Sequence, residues 1–584
     1  MSSTTLKWTP WGGVGEIGMN CMVLEFGDHA IPVDAGVMFA DANDYGIEAI
    51  FSDFEQLLTR YKPKEWLITH VHEDHVGAAA YIFLCANSAG VEAPTIYAPP
   101  LAAAQIREKI RDLLPVKFHP PAEKIQTVKI GDSVALGDVK VTFIGVAHSA
   151  PQSTALALEW KVSGRSEPVR VLHTGDFKED STQSRRGLLF DDQWQNYRPD
   201  LMFVDSTNAN RSGHSTAESE IIEPLQRIVK DSPGRIFITL FSSNVERVVA
   251  LTKVAKACRR QMALAGRSLQ TMMRLSGEVG AYNADDCVSE VFCDVADLKN
   301  LDESRQMIIC SGSQGEIRSV LSRMANGTHP EFYVKENDTI VFSSKVIPGN
   351  EKFIYRLINR LIAQGARVIW DEATSIENYG PIHASGHGRR EEIAAALTWL
   401  DPKILIPVHG NTFQMKEVEK LAIELRNRGS LSDVRVLTAD NGDVFEFALD
   451  VSELKDPARS RWTDYMPKFL RFDGFVSPSL DPFLRVRKRA AMGCVVSIVI
   501  DQNGRFRSRV EGVAPITGPR KDINERVQKL VDDFCVSAYR KLSKEWPYGD
   551  RAASTEQSLA DDLSRDLRKL VGARSAVVVH LVGL

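Results

Sequence analysis

Short apolar runs alternate with amphipathic segments over most of this chain. Met19 to Phe26, Glu65 to Thr69 and Thr95 to Tyr97 have the apolar character typical of strands, whereas Asp53 to Arg60 and Ala102 to Leu114 have helical spacing. Chains in which strands and helices alternate build layered sheets covered by helices. The first part of the chain is therefore predicted to form one half of an α/β sandwich.

A second alternating region follows Asp205. The pattern predicts a helix at Ser215 to Val229, with a Ser-x-x-Glu capping box from Ser215 to Glu218, and another helix at Val245 to Leu264. Further predicted elements are strands at Arg235 to Leu240, Gln306 to Cys310 and Thr339 to Ser343, and a helix at Arg318 to Ala325. A repeating β/α unit of this length is the size of a domain.

The end of the chain has a different order of elements. A hairpin is predicted over residues 494–510, around the Asn503-Gly504 turn, followed by helices at Asp522 to Leu542 and Ser554 to Leu570. A last strand is predicted at Ala576 to Val582. This pattern indicates a small, separate α+β domain.

The composition is that of an ordinary globular protein, with 43% hydrophobic and 25% charged residues. A chain of 584 residues is too long for one hydrophobic core, so several domains are expected. The 8 cysteines include no CxxC pair, residues 1–10 lack the apolar core of a signal peptide, and no run approaches the length of a membrane span. We therefore expect a cytoplasmic protein without membrane association.

The net charge of -5 argues against indiscriminate polyanion binding, although a local basic groove is compatible with it.

The clearest chemical signal is the stretch from Thr69 to Gly77. It places His70, His72, Asp74 and His75 within six residues, directly after the apolar run Trp66-Leu67-Ile68. No regular helix or strand brings all four side chains to one side, so the chain must turn around a shared partner. Imidazole and carboxylate ligands without thiolate favour a catalytic zinc or manganese site over a structural one.

A glycine motif near the start offers another interpretation. Gly13, Gly15 and Gly18 match the dinucleotide-binding fingerprint, with Asp34 beyond them. That fingerprint requires a helix after the glycines, whereas a strand-like run follows here, so a nucleotide cofactor is not expected. Instead we expect a tight turn, with Asp34 supporting the metal loop through hydrogen bonds to its ligands.

Three more candidate ligands follow strand-like runs further along the chain. His148 follows Val139 to Ile144, Asp176 follows Val169 to Leu172, and His409 follows Ile404 to Val408. Active residues gather at the carboxyl ends of strands in sheet folds. If Asp176 and His409 share one site, the second alternating region is an insertion, and the chain re-enters the first domain near Arg367 to Trp370.

With these residues the chain resembles a known family. The HxHxDH stretch, followed by an isolated His, Asp and His at strand ends, resembles the metallo-β-lactamase fold, and within it the ribonuclease J family of β-CASP nucleases. The supporting segments are Gly12 to Gly18 (GGVGEIG), Thr174 to Lys178 (TGDFK), Asp205 to Ala209 (DSTNA), Phe241 to Asn244 (FSSN), Ser311 to Glu316 (SGSQGE), Ile347 to Lys352 (IPGNEK), His383 to His387 (HASGH) and Pro407 to Gly410 (PVHG).

The resemblance implies an α/β fold: a metallo-β-lactamase αββα sandwich with an inserted α/β β-CASP domain and a small C-terminal α+β domain. The predicted boundaries are residues 1–208 and 367–450 for the two parts of the metallo-β-lactamase domain, 209–366 for the β-CASP domain, 451–484 for a linker and 485–584 for the C-terminal domain.

It also implies a dinuclear site, with two Zn²⁺ per subunit and Mn²⁺ or Mg²⁺ as activators. One ion would be bound by His70, His72 and His148, the other by Asp74, His75 and His409, and Asp176 would bridge them. Asp74 would also orient the attacking water. Such a pair of cations suits phosphodiester hydrolysis.

Further roles come from the same resemblance. His387 would protonate the leaving ribose oxygen, with Asp205 holding its imidazole and raising its pKa. A pocket for the RNA 5′-phosphate would be formed by Ser242, Ser243, Asn244, His383, Ala384, Ser385, Gly386 and His387. In this chain Glu246 adds an acid beside the RNA path, which weakens the expectation of phosphate selectivity.

The implied activity is that of a 5′-to-3′ exonuclease, with endonuclease action also open, in mRNA decay and rRNA maturation. Expected partners are single-stranded RNA with a 5′-monophosphate, a second copy in a homodimer or homotetramer, and other RNA-decay proteins. Two alternatives remain: another hydrolase of the metallo-β-lactamase fold, and an inactive RNA-binding paralogue.

Basic side chains near the expected RNA path are few. Lys256, Arg259 and Arg260 are either RNA contacts or the solvated face of a helix. Arg485, Arg487, Lys488 and Arg489 either guide RNA or belong to a solvated linker.

Overall fold

The computed structural model describes residues 5–39, 49–180, 192–316, 319–347, 350–371, 379–449, 454, 457–461, 470–472, 495–501, 506–511, 520–542, 550–571 and 576–582. Contacts divide the chain into two compact units, residues 1–38 with 51–468 and residues 39–50 with 469–584.

Two β-sheets pack face to face in the first unit. Leu24 and Phe26 of one sheet share a buried cluster with Val141, Phe143 and Leu156 of the other. Burying a side chain of this size contributes about 1.5–3 kcal/mol, so this cluster is the main core of the sandwich. The first sheet has eight strands in the order Ala458–Arg461, Asp443–Ala448, Thr5–Gly12, Cys21–Phe26, His29–Val33, Glu65–Leu67, Thr95–Ala98 and Ile125–Thr127. The second has seven strands in the order Ser133–Leu136, Val139–Gly145, Thr154–Trp160, Val169–His173, Leu201–Asp205, Ile404–Val408 and Arg435–Val436.

Helices cover the outer faces of both sheets. Phe54 packs edge-on against Trp66 under the eight-stranded sheet, with ring centroids 5.2 Å apart. Leu397 and Val418, from two later helices, pack on the seven-stranded sheet. The predicted αββα sandwich is confirmed.

The helices of the sandwich are Phe54–Tyr61, Glu73–Val76, Ala79–Ala89, Pro100–Leu113, Arg390–Leu400 and Thr412–Asn427. Short 3₁₀ turns occupy Val116–Phe118, Ala122–Lys124 and Asp192–Trp194, and short strands occupy Val14–Gly15, Met38–Phe39, Ala49–Phe51 and Gly410–Asn411.

The inserted region interrupts the sandwich between two neighbouring parallel strands. Asp205 at the end of one strand lies opposite Val408 of the other, although about half of the unit separates them in sequence. The insertion has its own parallel sheet, with strand order Gln261–Ala265, Gln306–Cys310, Ile236–Thr239, Thr339–Phe342 and Arg367–Ile369. Its helices are Ile222–Asp231, Val245–Ala257, Arg267–Glu278, Val295–Leu298, Val320–Ala325 and Glu351–Ala363, with 3₁₀ turns at Glu218–Ile221, Ala284–Asp286, Ser289–Val291 and Glu303–Arg305.

Two predicted boundaries in the insertion were wrong. The strand Arg367–Ile369 pairs with Thr339–Phe342, so these three residues belong to the inserted sheet and the domain boundary predicted at residue 367 lies too early. The helix predicted to run to Leu264 ends at Ala257, and Gln261–Ala265 is a strand. Arg259 has a left-handed φ of 55°, which ends the helix. An apolar segment of this length fits a helix or a buried strand equally well, and the neighbours decide.

The capping box predicted at Ser215 is also absent. The Ser215 hydroxyl donates to Glu392 Oε1 (2.7 Å), and Glu218 accepts from the Arg247 guanidinium (2.6 Å). The α-helix begins only at Ile222. Because Ser215 binds Glu392 and Glu218 binds Arg247, neither side chain caps the helix.

The second unit contains the predicted C-terminal elements. Val495–Asp501 is antiparallel to Phe506–Glu511 and parallel to Ala576–Val582. The helices are Arg520–Leu542 and Asp550–Val571, and Leu470–Phe472 is a short strand. The turn at residues 502–505 lies outside the described residues.

Part of the predicted linker 451–484 belongs to the sandwich. Ala458–Arg461 pairs with Asp443–Ala448 as the edge strand of the eight-stranded sheet. The linker prediction was wrong there because this exposed Ala-Arg-Ser-Arg segment has no apolar alternation to mark it as a strand.

Among the described helices, none combines the length and apolar character needed to span a bilayer.

Candidate metal centre

The loops at one edge of the sandwich bring the predicted ligands together. His70 and His72 follow the strand Glu65–Leu67, and His148, Asp176 and His409 follow three strands of the other sheet. Besides a group of Asp176, Asp205, His387 and His409, the described residues form two groups that contain only predicted metal ligands, and within each group the ligand atoms lie within 4.8 Å of one another. They are His70, His72, His148 and Asp176, and Asp74, His75, Asp176 and His409.

The two groups share the Asp176 carboxylate. In the first, His72 Nδ1 lies 3.0 Å from His148 Nε2, and His70 Nε2 lies 3.5 Å from Asp176 Oδ2. In the second, His75 Nε2 lies 3.2 Å from the same Asp176 oxygen, and His409 Nε2 lies 3.1 Å from Asp74 Oδ2. One carboxylate oxygen is therefore within reach of both groups.

This donor set fits bound cations. Asp176 Oδ2 and His70 Nε2 are buried and have no hydrogen-bond partner within the described chain. Leaving buried polar atoms unpaired costs about 1–3 kcal/mol each, and more when they are charged. Nitrogen and carboxylate donors converging on such atoms are the ligands that zinc and manganese prefer.

The electrostatics of the first group also favour a cation. Burial lowers the pKa of His72 to about 4 and the pKa of His70 and His148 well below the ordinary range. These imidazoles are therefore neutral at pH 7, with a ring nitrogen lone pair available. Burial by itself raises the pKa of Asp176, but His409 and His75 outweigh it and hold that pKa well below its usual range.

Three of the imidazole ligands are oriented by a hydrogen bond on the ring nitrogen that faces away from the site. His148 Nδ1 donates to the carbonyl of Gly386 (2.6 Å), and His409 Nδ1 lies 2.6 Å from the Thr207 hydroxyl. His75 Nδ1 lies 2.7 Å from Asp34 Oδ2. Such partners fix the ring orientation of a metal ligand and raise its basicity.

Asp34 makes several of the hydrogen bonds that surround the metal ligands. Its carboxylate also accepts from the Thr69 amide (2.8 Å) and the Thr69 hydroxyl (2.9 Å), and Thr69 Oγ1 lies 3.0 Å from His70 Nδ1. Its backbone has a left-handed φ of 61°. The glycine motif has a separate structural role, since the carbonyl of Gly13 accepts from the His409 amide (2.9 Å).

Asp34→Asn is expected to weaken metal binding by about 10- to 100-fold, because an amide holds the imidazole of His75 less firmly. Competition against a chelator measures this change. Asp53→Asn is the matched control, since Asp53 caps a helix through Gln56 and asparagine caps equally well. Unchanged affinity in Asp34→Asn would contradict the assigned contact.

His387 lies beside the two groups and pairs with Asp205. Its Nδ1 is 2.7 Å from Asp205 Oδ2, and its Nε2 is 3.9 Å from Asp176 Oδ2. Burial by itself lowers the pKa of His387, but Asp205 and Asp176 raise it to about 9. The imidazole is therefore protonated at neutral pH and faces the cluster. Asp205 is held in turn by the Thr207 hydroxyl (2.7 Å).

The segments predicted to bind a 5′-phosphate also meet. With its amide oriented to match the neighbouring donors and acceptors, Asn244 donates to the carbonyl of Ser149 (3.1 Å) and accepts from Arg247 (3.3 Å), next to the loop that contains His148. Asn208 donates to the hydroxyl of Ser385 (2.9 Å). A Cβ on Gly386 would lie 2.6 Å from the His148 ring, so only glycine fits there. Ser243, His383 and Ala384 are buried, while Ser242 and Ser385 are partly accessible.

Sequence reasoning missed Arg247, which joins these segments. Its guanidinium is fully buried and donates to Glu218 (2.6 Å), to the Ser343 carbonyl (2.6 Å) and to the Ala384 carbonyl (3.0 Å). It also lies 3.2 Å from His383 Nδ1, and burial, followed by the charge of Arg247, keeps the pKa of His383 well below normal. Only its position three residues after the FSSN segment could have indicated this role.

Of the described basic residues considered as RNA contacts, Arg260 and Lys256 have other partners, whereas Arg259 is exposed. Arg260 is buried and donates to the carbonyls of Gly234 (2.8 Å) and Ser232 (2.6 Å), so neither prediction for it was right. Lys256 pairs with Glu290 (2.7 Å). Arg485, Arg487, Lys488 and Arg489 lie outside the described residues.

Comparisons with known proteins agree with this geometry. The family model of the ribonuclease J β-CASP domain matches residues 233–361, and that of the β-lactamase superfamily domain matches residues 61–232. A ribonuclease J from a Synechocystis species is 33% identical over 451 residues, covering 76% of this chain and 66% of the relative. Ribonuclease J of Sinorhizobium meliloti is 32% identical over 466 residues, covering 78% of this chain and 76% of the relative. A crystal structure of a protein of unknown function from Enterococcus faecalis shares the fold, with a TM-score of 0.51 and 14% identity over 75% of this chain and 99% of that one.

Proposed function

Because this chain belongs to the ribonuclease J family of metal-dependent ribonucleases, we propose that it degrades single-stranded RNA from a 5′-monophosphate end, in the 5′-to-3′ direction, with two zinc ions. The observation that carries the proposal is the buried, unpaired Oδ2 of Asp176, which lies 3.2 Å from His75 Nε2 and 3.5 Å from His70 Nε2. A single carboxylate oxygen within reach of two sets of imidazole nitrogens could be shared by two cations.

The proposed ligands fall into two sets. His70, His72 and His148 would hold one ion, Asp74, His75 and His409 the other, with Asp176 in both sets. When bound, two divalent cations lower the pKa of water and neutralise charge on the scissile phosphate. The chain's own contribution is orientation: Asp34, Thr207 and the Gly386 carbonyl hold the three imidazoles that contact them.

His387 is the proposed general acid. Its protonated imidazole, held by Asp205 at 2.7 Å, carries a proton on Nε2 that faces the site of hydrolysis. Donation of this proton to the leaving ribose oxygen would complete cleavage of the phosphodiester. Asp74, whose carboxylate lies 3.1 Å from His409 Nε2 and is 29% exposed, is proposed to orient the attacking water.

The position of the 5′-phosphate pocket supports directional digestion. Asn244 and Gly386 both contact the loop that contains His148, so a phosphate bound by the FSSN and HASGH segments would lie close to the metal ligands. A pocket that admits one nucleotide between the chain end and the cleavage position would release mononucleotides. Messenger decay and ribosomal RNA maturation in the cytoplasm are the processes that supply such ends.

We expect a 3′-labelled RNA with a 5′-monophosphate to be digested to mononucleotides, and the same RNA with a 5′-hydroxyl to react at least about tenfold more slowly. The reason is the loss of charge-assisted hydrogen bonds, each of which contributes about 1.5–3 kcal/mol. Product lengths on a sequencing gel measure both rate and direction. Equal rates for the two ends, or products that shorten from the 3′ end, would contradict the proposed pocket.

Arg247 provides a separate test of the same pocket. Arg247→Met is expected to lower the free energy of unfolding by about 3 kcal/mol, because it leaves the partly buried Glu218 carboxylate and the buried carbonyls of Ser343 and Ala384 without their donor. It is also expected to abolish the preference for a 5′-monophosphate, since Ala384 and His383 lose their anchor.

A double variant separates the two effects. Glu218→Gln combined with Arg247→Met removes both charges, so stability is expected to recover in part while the preference for the 5′-monophosphate stays lost. Chemical denaturation and the end-preference assay give the two readouts. Recovery of the preference together with stability would assign Arg247 a structural role only.

A further inference from the structure

A cavity of about 230 Å³ lies at one edge of the inserted sheet, outside the groups already described. Its lining includes Phe342, Ser344 and Lys345, which end or follow the strand Thr339–Phe342, and Trp370, which follows Arg367–Ile369. All strand pairs of this sheet are parallel. Ligands of open parallel sheets bind at the carboxyl ends of the strands, where this cavity is found.

The cavity has more positive than negative charge. Arg211 and Lys345 line it, and within the described part of the chain no hydrogen bond or ion pair engages either cationic group. Asp371 is the carboxylate among the described lining residues. Burial lowers the pKa of Lys345, and the charges of Arg211 and Arg389 lower it further. Two cationic side chains and one carboxylate among the described lining residues, in a chain with a net charge of -5, form a local site for an anion.

The buried hydroxyl of Ser344 lies at the wall of this cavity. Ser344 is 6% exposed, lines the cavity, and its Oγ has no hydrogen-bond partner in the described chain. A buried hydroxyl without a partner is costly, and few such groups occur in native proteins. A ligand with acceptor oxygens would satisfy it.

The cavity adjoins the segments proposed to bind the 5′-phosphate. Ser343, next to Ser344 in the chain, donates to the carbonyl of Ile382 (2.6 Å), immediately before His383. The charge of Lys345 acts on His383, and Arg389 follows the HASGH segment by two residues. The two sites therefore share one wall.

The remaining lining suits part of a nucleotide. Trp370 and Phe342 provide aromatic surface, on which nucleobases stack. The volume is below the roughly 300–1,000 Å³ of pockets that enclose a whole drug-sized ligand. It can take a phosphate with an adjoining group, but not a long segment of RNA.

Building on the proposed ribonuclease activity, we propose that this cavity is a second phosphate subsite, which binds the RNA phosphate lying on the 5′ side of the terminal-phosphate pocket. Arg211 and Lys345 pair with its oxygens, and the Ser344 hydroxyl donates to one of them. Such a phosphate has two sources: the outer phosphates of a 5′-triphosphate, or the next phosphodiester of an RNA that enters internally. In the second case the upstream base stacks on Trp370.

The test uses one RNA sequence in three forms: linear with a 5′-monophosphate, linear with a 5′-triphosphate, and circular. Phosphorothioate linkages slow hydrolysis, so dissociation constants can be measured by fluorescence anisotropy with the metal-loaded full chain. The variant is Arg211→Gln with Lys345→Gln. Lys253→Gln is the control, because Lys253 is exposed and pairs with Asp286 in another part of the insertion.

The double variant is expected to bind the triphosphate or the circle at least about tenfold more weakly, with monophosphate binding within about twofold of wild type. Loss on the triphosphate alone identifies the outer phosphates as the ligand, and loss on the circle alone identifies the upstream phosphodiester. Lys345→Arg, which keeps the charge, should retain most of the affinity.

Two results would overturn the subsite: unchanged binding of both the triphosphate and the circle, or equal losses for all three RNAs. The proposed function has its own readout, namely mononucleotide release by the wild type from unmodified 5′-monophosphate RNA. That reaction can succeed while the subsite fails, so the two failures are distinguishable.

Discussion

Asp176→Asn is expected to reduce RNA hydrolysis by about a thousandfold or more and to lower the metal content of the protein. The side chain is buried, and its Oδ2 is the atom that the two ligand groups have in common. An amide at this position removes the negative charge that would balance two cations, and a loss of about 4 kcal/mol in transition-state stabilisation corresponds to a thousandfold in rate. Metal analysis and a single-turnover assay on 5′-monophosphate RNA give the two measurements.

Asp200→Asn is the matched control, because Asp200 is equally buried but pairs with Lys403 (2.8 Å) away from the ligand groups. It is expected to keep its metal and its activity while losing some stability. An Asp176→Asn protein with wild-type metal content and wild-type rate would show that the cluster is not the reaction centre.

His387→Gln is expected to lower the single-turnover rate by about 10²- to 10⁴-fold while leaving the metal content unchanged, because it removes the proposed proton donor but none of the seven proposed ligands. A substrate with a better leaving group, such as a 3′-bridging phosphorothiolate at the scissile linkage, needs no proton and should be cleaved by the variant at close to the wild-type rate. An equal loss on both substrates would contradict the assignment as general acid.

If His387 is the general acid, the rate of RNA hydrolysis should depend on the protonation of its imidazole. Burial by itself lowers the pKa of His387, while Asp205 and Asp176 raise it to about 9. The donating, protonated form is present below this pKa and is lost above it, so the rate should fall as the pH rises through it. Bound cations repel the imidazolium and lower the pKa, so this limb is expected at or below about pH 9. Asp205→Asn should move it to lower pH, and a limb that stays in place would contradict the His387–Asp205 pair.

The sandwich could be predicted from the sequence because its strands are short apolar runs with turn residues between them. Ile404 to Val408 is uniformly apolar because it is buried on both faces, which made it recognisable before its partner was known. The membership of Arg367–Ile369 could not be predicted, because three residues carry no information about which sheet they join. The same limit applies to Ala458–Arg461, whose exposed side chains have no apolar face.

The candidate site was predictable to the extent that its residues have distinctive chemistry. His70, His72, Asp74 and His75 form a cluster within the sequence itself, and His409 could be linked to it only by its position at a strand end. The division of the ligands between two ions depended on the family resemblance. Arg247 and Ser344 could not be found in this way. Arginine and serine are common at every surface, and only burial and the partners given by the fold distinguish these two.

Anomalous diffraction from crystals of the zinc-loaded protein tests the central claim most directly. Two peaks are expected, one among His70, His72 and His148 and one among Asp74, His75 and His409, each about 2.0–2.2 Å from an oxygen of Asp176. A single peak, or peaks bound by other residues with Asp176 left uncoordinated, would contradict the dinuclear centre and the mechanism that depends on it.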